Sequence, residues 1–137
     1  MERAAASPAM SKGSWSHATE LAPVRASASA ARDFVRLHLR EHGLGALVDD
    51  VGLVVSELAT NAVKHACTPF TVRLRGDGHC LLLTVHDSSR EVAFERPPGS
   101  TSTGGRGLAI VDRLSHDWGV DHADEVEKSV WASFQTP

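Results

Sequence analysis

The spacing of hydrophobic positions changes several times along the chain, and each change predicts an element. Residues 1–13 are rich in Ala and Ser and carry no period, which predicts a mobile tail ahead of a domain spanning 14–137. Trp15 to Leu21 alternates imperfectly, as a short strand does, and Pro23 punctuates it. From Ser27 to His42 the spacing becomes helical. Ala30, Phe34, Leu37 and Glu41 form one stripe, and Ala31, Val35 and Leu39 widen it. Ser27 or Ser29 can cap the start, and Gly43 stands where a left-handed C-terminal residue is expected. A second helix is predicted over Val48–Ala66, with Val51, Val54, Val55, Leu58, Ala62 and Ala66 as its apolar stripe. Asp49 and Asp50 suit the positive end of its dipole, and Pro69 stops it.

A hairpin signal follows. Phe70, Val72 and Leu74 alternate, Gly76-Asp77-Gly78 turns the chain, and Cys80 to Val85 is a nearly unbroken apolar run ending in His86-Asp87. That run predicts a strand buried on both faces. Ser88 to Gly107 reads as a long loop rich in Gly, Pro, Ser and Thr, of the kind that is functional or mobile. A short helix is expected over Leu108–Leu114, then strands over Trp118–His122 and Lys128–Gln135, with Asp124 in the turn between them. The order β-α-α-β-β-loop-α-β-β predicts an α+β fold. Its expected form is a two-layer sandwich with helices on one face of a mixed, mostly antiparallel sheet.

Composition narrows the function classes. At 137 residues the chain is one domain, and 42% apolar with 23% charged residues is globular usage. A formal net charge of −3 does not suit nonspecific nucleic-acid binding, which needs a basic surface. No stretch approaches the ~20 apolar residues of a membrane helix, and the start lacks a signal-peptide core. Cys67 and Cys80 form no CxxC pair and read as reduced, small core hydrophobes, so a cytoplasmic location is expected. The three tryptophans read as core or edge packing.

Four constellations carry candidate chemistry. On the second helix, Glu57, Asn61, Lys64 and His65 share a polar stripe beside the apolar one. Glu can act as a general base, Asn offers a neutral oxygen to Mg²⁺, and Lys favours phosphate; a solvated face with an i,i+4 pair is the plain alternative. Thr103-Gly104-Gly105-Arg106-Gly107 runs into a helix, where glycines and free N–H groups suit an anion, or a flexible linker ends in a tight turn. Asp87 can accept a hydrogen bond from an exocyclic amine, or simply form the turn at a strand end. Finally, His38-Leu39-Arg40-Glu41-His42 has the H-x-x-E-H spacing of a zinc-hydrolase motif. The run ends at Gly43, no third ligand is recognisable downstream, and Arg40 adds positive charge, so zinc chemistry is not expected.

Together these pieces are more specific than any one of them. Ser56 to Ala66, SELATNAVKHA, resembles the N box of the gyrase/histidine-kinase-like ATPases, and in particular the SELxTNAxxHA of their bacterial anti-sigma-factor serine kinase branch. Asp87 matches the aspartate of the G1 box, Gly105-Arg106-Gly107-Leu108 the G2 box, and Lys128-Ser129-Val130-Trp131 the closing strand. The resemblance covers about Trp15 to Phe134 and implies a Bergerat-type ATP-binding fold with a lid between Asp87 and Gly107. It implies that Asp87 holds the adenine amino group, Asn61 ligates Mg²⁺, and Glu57 activates a protein serine hydroxyl. Lys64 and the backbone of Gly104, Gly105, Arg106, Gly107 and Leu108 would contact phosphates, Ser129 would support adenine through water, and His65 carries a weaker, structural role. The implied cofactors are ATP and Mg²⁺.

The same resemblance implies a partner switch. A homodimeric kinase of this kind binds a sigma factor and phosphorylates an anti-sigma factor antagonist, without touching nucleic acid or membrane directly. One departure stands out: Asp87-Ser88-Ser89-Arg90-Glu91 occupies the place of DxGxG. Ser89 and Glu91 replace both glycines, and left-handed geometry there costs such side chains about 1 kcal/mol or more each. This motivates an alternative, a noncatalytic, nucleotide-gated binding module. The catalytic half of a histidine kinase is not expected, because the length leaves no room for a helical dimerisation domain.

Overall fold

The structure is a computed structural model that describes residues 14–66, 68–87, 103–122 and 128–137, the side chains of 66, 103–107 and 122 excepted. The predicted tail, Cys67, most of the predicted loop and the turn at Asp124 lie outside the described residues.

Alternation builds the sheet. Strands β1 (Trp15–Leu21), β2 (Phe70–Gly76), β3 (Cys80–Asp87), β4 (Asp117–His122) and β5 (Lys128–Gln135) form five strands in the order β1-β2-β3-β5-β4. Every ladder is antiparallel. Along β2, Phe70, Val72 and Leu74 are buried, and register carries the same face across Leu81, Leu83 and Val85 of β3 to Val130, Ala132 and Phe134 of β5. Helices α1 (Ser27–Glu41), α2 (Val48–Ala66) and α3 (Thr103–Leu114) cover that face, with a one-turn 3₁₀ segment at Gly45–Leu47 between the first two. Each fully buried Leu or Val there contributes about 1.5–3 kcal/mol relative to exposure.

The sheet-facing row of α1 differs from the predicted stripe. Ser27, Ala31, Val35 and Leu39 are buried, whereas Ala30 is exposed and Leu37 is 56% exposed. Leu39 and its i−4 partners, not Leu37, meet α2 and the sheet, so the widening residues are the core row. Neither serine caps the helix. Ala26 is the N-cap residue without a side-chain bond, and the Ser27 hydroxyl instead donates to the carbonyl of Ala22 at 2.6 Å. Gly43 does adopt the left-handed conformation, with φ 72°.

Helix α2 matches its predicted limits, and Val51, Val54, Val55, Leu58 and Ala62 are buried, with Ala59 added. On β3, Leu82 is buried on the face away from the helices, but Cys80 and Thr84 are half-buried, so burial on both faces is confined to part of the strand. Helix α3 starts at Thr103, earlier than predicted, and takes Gly104, Gly105 and Gly107 into its opening turns. Glycine there is about 1 kcal/mol less favourable than Ala, which is why composition alone reads as loop.

Candidate functional site

The polar stripe of α2 forms as its spacing requires. Asn61 is buried at 5% exposure, Glu57 and His65 are half-buried, and Lys64 is exposed. The Nδ2 of Asn61 has no hydrogen-bond partner among the described residues. A buried polar group left unpaired costs about 1–3 kcal/mol. An N–H₂ donor held in that state one turn from a half-buried carboxylate suits an acceptor such as a phosphate oxygen, and Oδ1 of the same amide is the atom that could ligate Mg²⁺.

Asp87 ends β3 and is 4% exposed. Its Cα partners across the sheet are Phe70 and Lys128. The Lys128 ammonium, itself 3% exposed, lies 3.9 Å from the Asp87 carboxylate. Sequence reasoning missed Lys128. The sequence offers only a lysine at the start of an apolar strand; that it stands opposite an acid is set by register. Connectivity brings Asn61 and Asp87 to the same end of the layers. Ala66 and Phe70 are joined by three residues, a span of at most about 15 Å, and Phe70 sits beside Asp87. Helix α2 also packs on β3 and on α3.

The segment Gly104, Gly105, Arg106 and Gly107 lies in the first turns of α3, where the leading N–H groups have no intrahelical partner and the dipole is positive. Leu108 is half-buried and packs against the core, so its side chain serves the fold.

Ser129 is not brought to Asp87. It pairs with His86, and its hydroxyl lies 2.7 Å from His86 Nδ1. Neighbouring strand residues point to opposite faces. Ser129 and His86 therefore look away from the helices, into a concavity also lined by Arg73, Thr84 and Trp131, while Asp87 and Lys128 look toward the helices. Ser129, expected to support adenine through water, thus lies on the sheet face opposite to Asp87.

A helical layer on one face of an antiparallel sheet, with polar groups converging at one end of the interface, is the layout of an α+β nucleotide-binding domain. The chain belongs to the histidine kinase-like ATPase domain family, whose model matches residues 21–134. Membership supports ATP binding, usually with Mg²⁺. No curated protein matches the chain significantly. Among the described residues, no helix is long and apolar enough to cross a membrane.

Proposed function

We propose that the chain is an anti-sigma factor and protein serine/threonine kinase that phosphorylates an anti-sigma factor antagonist. The carrying observation is the buried Asn61 Nδ2, without a hydrogen-bond partner among the described residues and one helical turn from Glu57, within an SELATNAVKHA run. Asn61 would hold Mg²⁺, Asp87 the adenine amine, and Lys64 with the α3 N-terminus the phosphates. ATP, when bound, would supply the phosphoryl group. Glu57 would accept the proton of the attacking serine or threonine hydroxyl as its oxygen bonds to the γ-phosphorus and the bond to the leaving ADP breaks. The product phosphate adds about −1.5 to −2 charge to the antagonist, which disrupts a fitted interface and frees the kinase to bind its sigma factor. Function as a cytoplasmic homodimer belongs to the same reading.

Two observations favour a second reading, a nucleotide-gated binding module without transferase activity. Asp87 is engaged by Lys128, and the residues after it lack the family's glycines. Phosphotransfer to the cognate antagonist separates the cases, and calorimetry with Mg-ATP tests the nucleotide site both share, using wild type, Asn61→Ala and Asp87→Asn, with folding checked by circular dichroism. The expected result is binding in the wild type and loss in both variants. Glu57→Ala should keep ATP binding and lose phosphotransfer to the cognate antagonist. Undiminished transfer would remove Glu57 as the base, and absent wild-type binding would remove the kinase reading.

A further inference from the structure

The H-x-x-E-H run at the end of α1 lacks a third ligand only when the chain is read downstream. The fold supplies one from upstream. His17 lies on β1, on the side that packs against α1, and its Nε2 is 3.0 Å from Nε2 of His42. One ligand atom each from His17, Glu41 and His42 falls within 4.8 Å of the others. His38 completes the cluster from behind: its Nδ1 is 2.7 Å from Oε1 of Glu41, and its ring stacks on His17 at 3.8 Å.

From these positions we infer that His17, Glu41 and His42 form a binding site for a divalent transition metal of the zinc class, with His38 as a positioning residue. The donor set of two imidazoles and a carboxylate is one that zinc takes, leaving a fourth position for water or an outside ligand. The two imidazole nitrogens are close to the spacing required, and a Glu41 carboxylate oxygen lies within 4.8 Å of both histidines. Zn–N bonds of about 2.0–2.1 Å in a tetrahedron separate two nitrogens by about 3.3 Å, so the two histidines need open by only a few tenths of an ångström. His38 orients the carboxylate as outer-shell partners orient metal ligands.

The surroundings also favour a cation. His42 is the C-cap residue of α1, where the helix dipole is negative. The Trp15 ring stacks on His42 at 3.7 Å with planes 3° apart, and Phe34 meets His38 edge-on, so the imidazoles are held by packing before any metal arrives. His17 precedes the residues matched by the family, and β1 is the sheet edge two strands from β3, so the site is separate from the nucleotide candidate and does not rest on it. A bound metal would fasten this edge strand to the end of α1.

The test uses tag-free, chelator-treated full chain. Co²⁺ titration followed by visible absorption, and Zn²⁺ titration by calorimetry, should each show one metal per chain, with Zn²⁺ raising the Tm. His17→Phe keeps a stacking ring but removes the ligand. It and His42→Ala should weaken Zn²⁺ by about 100-fold or more and abolish the Tm shift, whereas His38→Gln should weaken it about 10–100-fold and shift the Co²⁺ band. His79→Ala, in the β2–β3 turn, should bind like wild type. Wild type that binds no stoichiometric metal, binding unchanged in His17→Phe, or binding lost in His79→Ala would each overturn the site.

Discussion

Two buried polar sites contrast in this protein. Asn61 Nδ2 is buried without a hydrogen-bond partner among the described residues, whereas Asp87 and Lys128 are buried as an ion pair. Removing one partner of a buried pair takes away part of what compensates the other charge, a loss of up to about 3–5 kcal/mol. Lys128→Met is therefore expected to destabilise by up to that amount in urea unfolding. The double variant Lys128→Met/Asp87→Asn should recover much of it, and equal losses in the single and double variants would contradict the pairing. The Cys80 thiol is pushed up by burial and then by Asp77. The folded state thus keeps the proton to higher pH, and whatever stability this contributes is present below the ordinary thiol range and is lost as pH rises from there through the raised folded value. In a Cys67→Ser background, alkylation of Cys80 at pH 8 should be clearly slower in folded than in urea-unfolded protein, since the thiolate is the nucleophile.

At the scale of elements, α1 shows what periodicity resolves and what it does not. Its limits and its terminal Gly43 are legible in the sequence, but which of two adjacent apolar rows faces inward is not. Both rows satisfy the 3.6-residue period, and only contact with α2 and the sheet selects Ala31, Val35 and Leu39 over Leu37. Leu37→Lys is accordingly expected to change stability by no more than about 0.5 kcal/mol. Gly43→Ala, at φ 72°, should cost about 1–2 kcal/mol because a Cβ disfavours that conformation even though open space surrounds it. Both follow from denaturant midpoints. Helix α3 teaches the converse: its glycines point to a loop, and its position in the layer makes the first turns helical.

At the scale of the whole molecule, one core joins three helices to the inner face of the sheet. Leu83, fully buried on the central strand, is its middle. Leu83→Ala should cost about 2–5 kcal/mol in a single cooperative transition by thermal or denaturant unfolding. A small effect there would mean that the helical layer packs elsewhere.

The sequence by itself determined the element order, the limits of β1, α2 and β5, the alternation that makes a one-faced sheet, and the polar stripe Glu57-Asn61-Lys64-His65. All of these depend on short-range spacing, which the chain carries locally. Only the tertiary structure decided which polar groups meet. Register set Lys128, not Ser129, against Asp87, because a one-residue step in a strand reverses the face. The packing of β1 on α1 brought His17 to His42 across 25 residues of sequence, a distance over which spacing in the chain carries no information about contact.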